Sequence, residues 1–141
     1  MITIEKLKIE DIEEVSCLLK DLVPFDFSTE NALEKYQEII NDNSYLIVVA
    51  KENNKIVGTV SGIICKCLAT SFLAVEAFIV KDGLRGKGIG KKMMEFLEEF
   101  SKEKECSYSI LVSSNHRTEA HKFYEKMGFN DDVRGFRKFY I

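Results

Sequence analysis

No apolar stretch of this chain comes near the ~20 residues that a membrane-spanning helix requires, and the charged start "MITIEKLKIEDIEEV" has none of the layout of a secretory leader. A cytoplasmic protein with no membrane partner is expected. Linkers rich in proline or in glycine and serine are missing, as are repeats and low-complexity tracts, so residues 1–141 read as a single domain. Cysteine occurs four times, at Cys17, Cys65, Cys67 and Cys106, but never at the C-x-x-C spacing of a zinc or redox site. Reduced thiols, buried or half-buried, and no metal are therefore expected. An excess of positive charge is lacking too: the net charge is −3, which argues against nucleic acid as the partner. Two common phosphate loops are also absent. There is no G-x-G-x-x-G, and no G-x-x-x-x-G-K-[ST], because Ile89 rather than lysine follows Gly88.

What is present is an ordinary globular balance, 45% apolar and 30% charged, arranged as alternating elements. "ITIEKL" alternates like a strand, and Ile12, Val15, Leu18, Leu19 and Leu22 recur at helical spacing until Pro24. Ser28 or Thr29 can cap a second helix running to Ile40. Two β runs then meet at Asn53-Asn54, a hairpin signal, and "FLAVEAFIV" is a third. Ile89, Met93, Phe96, Leu97 and Phe100 form the apolar stripe of the next helix. "YSILV" reads as a strand and "RTEAHKFYEKMG" as a helix with Ala120, Phe123, Tyr124 and Met127 inward and Gly128 as its stop. "FRKFYI" reads as a closing strand, giving the order β-α-α-β-β-β-α-β-α-β, an α/β arrangement.

Between the third β run and its helix stands "LRGKGIGKK", with Gly86, Gly88 and Gly90 on alternate positions and Arg85, Lys87, Lys91 and Lys92 among them. A strand that turns through glycines into a helix leaves backbone N–H groups free beside the positive end of the helix dipole, which favours an anion. A plain tight turn with a basic rim is the alternative.

"RGKGIG", Arg85 to Gly90, resembles the R/Q-x-x-G-x-G/A signature of the GNAT superfamily of N-acetyltransferases, and "NHRTEAHKFYEKMGF" resembles that family's second segment, ending in F-Y-x-x-x-G-F. The resemblance spans Ala74 to Phe129 and implies the GNAT fold, a central mixed, mostly antiparallel sheet flanked by helices. It also implies acetyl-CoA as co-substrate. On that reading the backbone of Arg85, Gly86, Lys87, Gly88, Ile89, Gly90 and Lys91 holds the pyrophosphate, Phe78, Ile79 and Val80 offer strand-edge backbone to the pantetheine amides, and Asn115 contacts the cofactor arm. The family splays this strand from the next, often at a bulge.

The chemistry needs two proton-transfer groups: an ammonium must lose a proton before it attacks, and a thiolate leaves more readily when protonated. The resemblance assigns Glu76 as the base, directly or through water, and Tyr124 as the acid, with the backbone near Ile79 polarising the thioester carbonyl. Glu76 can instead face solvent or pair with a lysine, and Tyr124 can be a core residue. His116 and His121 read as helix-surface residues. Phe25, Asp26 and Phe27, in the loop after the first helix, line the acceptor pocket or cap the core. The expected activity is direct acetyl transfer to a primary amine of a small molecule. The alternatives are a protein amine as acceptor, or a non-catalytic acyl-CoA-binding sensor module. A homodimer is left open.

Overall fold

Asn53 and Asn54 both hold positive φ, 51° and 62°, the backbone that lets a two-residue turn join twisted antiparallel strands. In the computed structural model, which describes residues 1–141, that turn links β2 (Tyr45–Glu52) to β3 (Lys55–Lys66). β1 (Ile2–Lys6) pairs with β2 and β4 (Ser71–Val80) with β3, all antiparallel, and β5 (Tyr108–Ile110) adds to β4 in parallel. Spatial order follows chain order, β1-β2-β3-β4-β5. Parallel neighbours need a crossover, and α3 (Ile89–Glu103) supplies it between β4 and β5. α1 (Ile12–Leu19), entered through a 3-10 turn at Ile9–Asp11, and α2 (Thr29–Ile39) precede β2, and α4 (Thr118–Lys126) follows β5. No helix is long and apolar enough to cross a membrane.

Local chemistry fixes the helix ends. The Ser28 hydroxyl accepts from the Asn31 N–H and the Asn31 side-chain oxygen accepts from the Ser28 N–H, each at 3.0 Å, a reciprocal cap that satisfies two donors at the start of α2. The helices then cover both faces of the sheet. Ile89, Met93, Met94 and Leu97 of α3 pack on Val48, Val60, Leu73 and Val75, while Ile12 and Val15 of α1 pack on Val49 and Ile56 from the other side. A further tie joins α1 to the sheet: the Glu14 carboxylate accepts from the Ile56 N–H at 2.8 Å.

Two expectations need correction. "FRKFYI" is not a strand: the chain has no regular structure after α4, and no main-chain hydrogen bond involves residues beyond Val133. β5 is only three residues long, so it offers no ladder to extend. Phe136, Lys138 and Tyr140 alternate with Arg137, Phe139 and Ile141, so neither side of the segment is uniformly apolar. The thiols also differ from expectation: Cys65 and Cys106 are half-buried, but Cys17 and Cys67 are exposed, and all four are free.

One buried-edge ionic cluster pins the N-terminal elements together. Lys51 Nζ of β2 lies 2.8 Å from Glu5 Oε1 of β1 and 2.9 Å from Asp11 Oδ1 of the 3-10 turn. Hydrogen bonds donated to the Glu5 and Asp11 carboxylates push the Lys51 ammonium up to about 12, and the bond accepted from Lys51 holds Glu5 below the usual carboxylate range. A raised lysine stabilises the fold fully below its unfolded value and loses that contribution as pH climbs through 12. A lowered glutamate contributes above its unfolded value and loses its contribution as pH falls through the folded one. Lys51→Gln should therefore cost most stability between about pH 5 and 10, with wild type and variant converging as pH falls through the lowered Glu5 value and as it climbs through about 12. Urea unfolding across that range checks it; a pH-independent difference would assign the loss to packing.

Candidate active site

β4 carries one residue too many for β3. Between the pairs Ser61–Glu76 and Thr59–Ile79, Val60 alone faces Ala77 and Phe78, and Ala77 sits at φ 53°. A left-handed alanine costs about 1–2 kcal/mol, and such strain is concentrated at functional sites. The bulge re-aims the strand. On its other edge β4 pairs with β5 only from Phe72 to Ala74, so from Val75 to Val80 the backbone on that side has no strand partner. β4 and β5 are thus splayed at the C-terminal end of β4, as the sequence resemblance implied.

The glycine turn stands at the mouth of that gap. Gly86 and Gly88 hold φ 82° and 81°, with nothing within 4 Å of where a Cβ would be, so their backbone conformation is the reason for glycine. From Arg85 through Lys91 no backbone N–H has an acceptor within the chain. Left-handed residues set at alternate positions turn successive N–H groups toward a common side, an anion-binding concavity beside a helix N-terminus. Gly90 differs. It is helical, and a Cβ there would come within 2.8 Å of Cζ of Phe78 and 3.2 Å of Cζ of Phe123. Its bare Cα makes room for two aromatic rings.

Those rings belong to a cluster that fixes Tyr124. Gly128 at φ 99° ends α4, with its N–H donating to the Glu125 carbonyl and the Phe129 N–H to the Tyr124 carbonyl, both at 3.0 Å. This is the Schellman pattern, completed by an apolar contact between its outer residues: the Tyr124 and Phe129 rings meet edge-on at 6.2 Å. Phe78 stacks on Phe123 at 5.4 Å, and Tyr124 meets both at 5.9 and 5.6 Å. The F-Y-x-x-x-G-F segment is therefore a helix cap that holds a tyrosine in place. Tyr124 is 6% exposed. Burial pushes its phenol above the usual tyrosine value, with the Arg117 charge drawing it partly back, and its hydroxyl makes no hydrogen bond within the chain.

A cleft of about 1320 Å³ runs along the splayed edge. It brings together Glu76, Phe78, Ile79, Val80, Arg85 and Tyr124, and Phe25 from the first loop. Glu76 is exposed there and makes no ion pair. Gly86 to Lys91 form the adjoining turn without lining the cleft, and Asn115, Asp26 and Phe27 do not line it. His116 does, and is exposed, whereas His121 is half-buried, its Nε2–H donating to the Ser114 carbonyl at 2.9 Å. Sequence reasoning missed Ser113 and Arg117 between β5 and α4, Glu14 and Asp21 on the α1 side, and the terminal wall from Arg137 to Ile141, where Phe139 meets Phe25 edge-on at 5.9 Å. Arg117, directly ahead of α4, was visible as a cation at a helix start; the terminal wall carried only the signal of an aromatic and basic cluster.

Comparison with known proteins agrees with this geometry. The chain is 24% identical over 120 residues to the uncharacterised N-acetyltransferase YhdJ of Bacillus subtilis, covering 80% of this chain and 81% of that protein. It is 27% identical over 133 residues to N-alpha-acetyltransferase 30 of Saccharomyces cerevisiae, covering 89% and 74%. The glucosamine-6-phosphate N-acetyltransferase of Arabidopsis thaliana superposes with a TM-score of 0.87 at 29% identity, covering 100% of this chain and 99% of that one. Residues 12–129 match the acetyltransferase (GNAT) family, whose members use acetyl-CoA. With the splayed strand and the capped tyrosine in one cleft and the free N–H turn adjoining it, the chain belongs to the acetyltransferase (GNAT) family and is an N-acetyltransferase.

Proposed function

We propose that this chain transfers the acetyl group of acetyl-CoA directly to a primary amine of a small molecule. The observation that carries the reading is one cleft that joins an unpaired β4 edge, an exposed carboxylate and a buried phenol, with a run of partnerless N–H groups in the turn adjoining it at Arg85. These residues fit the cofactor. The N–H groups of Arg85 to Lys91 receive its pyrophosphate and the edge at Phe78, Ile79 and Val80 receives the amides of its arm; Asn115, which does not line the cleft, is assigned to the arm by the family resemblance alone. When bound, acetyl-CoA supplies the thioester carbonyl that is attacked.

The chain's own groups manage the protons. Glu76, exposed in the cleft, removes the ammonium proton, directly or through water, and leaves the amine free to attack. The outer-edge backbone of β4 next to Ile79 polarises the carbonyl oxygen, since Ile79 itself pairs with Thr59. Tyr124 delivers a proton to the departing sulfur. A phenol is protonated across the physiological range, as an acid must be, and burial moves Tyr124 further in that direction. The acceptor enters on the side of α1, Phe25 and the terminal wall. A small amine is favoured by the structural similarity to an amino-sugar phosphate acetyltransferase. The yeast relative's name keeps a protein amine as the second reading.

A ligand that binds only the folded state stabilises it, by roughly 2.7 kcal/mol at a hundredfold excess over Kd. A melting shift of several degrees with CoA is expected, and none at millimolar CoA would sink the cofactor assignment. Gly88→Val should abolish that shift with only a modest fall in the free protein's melting temperature, because a β-branched residue cannot hold φ 81° and the turn must rearrange. Undiminished CoA affinity in this variant would make the turn merely a turn.

Turnover with acetyl-CoA and a panel of amino sugars, aminoglycosides and peptides with a free α-amine, read by thiol release, identifies the acceptor. With the best acceptor, Glu76→Gln should lose most at neutral pH and less at alkaline pH, where free amine is supplied by solution. Tyr124→Phe keeps the ring cluster and should lose about 10²–10⁴-fold in kcat, less with a donor of lower leaving-group pKa. Full turnover in Tyr124→Phe with chemistry rate-limiting would make Tyr124 a packing residue.

A further inference from the structure

The segment after α4 closes the acceptor end of the cleft between two apolar contacts. Gly135 packs against Val112, whose Cγ2 would lie 3.3 Å from an added Cβ, and Phe139 meets Phe25 edge-on at 5.9 Å. Residues 135–139 therefore cross from the β5 side of the cleft to the α1 side, and Arg137 and Lys138 lie on the crossing and line the cleft. Aromatic rings hold their charges there. Arg137 Cζ stands 5.0 Å from the centroid of Phe139 and Lys138 Nζ 5.9 Å from that of Tyr140, an attraction of cation for ring face. Neither makes an ion pair. The carboxylates of the cleft are otherwise engaged: Glu14 accepts from the Ile56 N–H, Asp82 pairs with Arg85 at 3.0 Å, and Glu76 is the proposed base. Asp21 alone is left to set against Arg137, Lys138 and the equally unpaired Arg117. On a chain of net charge −3 the acceptor end is thus locally positive, and such a field concentrates anions.

We infer that the acceptor is an amine that also bears an oxyanion, a phosphate or a carboxylate, which Arg137 and Lys138 hold while its ammonium meets Glu76. The inference deepens the acetyl-transfer reading above and rests on it. A guanidinium stacked by its face keeps its N–H edge free, and that planar fork matches the paired oxygens of either group. The lysine adds a compact charge with three donors. Like charges repel, so the same wall disfavours an acceptor with several ammonium groups. Aminoglycosides are therefore poorer acceptors than amines carrying an acidic group.

Steady-state kinetics with acetyl-CoA and matched acceptors test this: glucosamine 6-phosphate against glucosamine, and 6-aminohexanoate against hexylamine, in wild type and in the double variant Arg137→Gln/Lys138→Gln. Both residues are exposed and their backbone makes no main-chain hydrogen bond, so the variant should fold, which melting and CoA titration check. The expected result is a kcat/KM about tenfold or more higher for the anionic member of at least one pair, carried by KM. That preference should fall toward parity in the double variant and in high salt, with CoA affinity retained. A preference confined to one pair names the oxyanion that is held. Parity within both pairs in wild type, a preference that survives in the double variant, or an equal loss of CoA affinity would overturn this inference and leave the acetyl-transfer reading standing. Wild type that binds CoA but acetylates none of these amines overturns the small-amine reading and this inference with it. Wild type that binds no CoA overturns the acetyl-CoA reading as well.

Discussion

The rest of the site depends on the extra residue in β4. With Ala77 and Phe78 both facing Val60, the strict alternation of the strand is broken at the point where its outer edge loses β5. Glu76 stays on the exposed side of the sheet, toward the cleft, while Phe78 turns to meet Phe123 and Gly90 on the side of α3 and α4. An unbroken strand would carry its pairing with β5 further, and the ladder would consume the N–H and C=O groups that now line the gap. The left-handed Ala77 costs about 1–2 kcal/mol. The packed strands on either side hold it in place.

The aromatic cluster couples the two family segments that lie far apart in sequence. Gly90 admits the rings of Phe78 and Phe123 against the first turn of α3, and Phe123 and Phe129 position Tyr124. The glycine turn, the bulged strand and the capped helix are thereby one mechanical unit. The same glycine-rich segment serves two physical ends. Gly86 and Gly88 supply backbone conformations, whereas Gly90 supplies space. Away from the cleft, the Lys51, Glu5 and Asp11 cluster fastens β1, β2 and the entry to α1, and Glu14 fastens α1 to β3, so the α1 wall of the cleft is tied to the sheet at two places.

Much of the fold and part of the site were legible in the residues because their signals are local. Asn53-Asn54 encodes its hairpin through two positive φ angles, Ser28 with Asn31 encodes the start of α2, and Gly128 encodes the stop that holds Tyr124. The glycines of the turn and the stripe of α3 likewise declare themselves within a few residues of chain. The closing strand was misread for the complementary reason. A strand exists only where another strand pairs with it, and the three residues of β5 leave the terminal segment without a partner. Only the tertiary structure decided that the bulge falls at Ala77 rather than elsewhere in an apolar run, that Asn115 stands outside the cleft while Ser113 and Arg117 face it, and that Phe139 closes on Phe25. Local backbone preference and capping are written in adjacent residues, but strand pairing and the facing of side chains across a cleft are fixed by contacts between residues distant in sequence, whose partners no short stretch of chain can name.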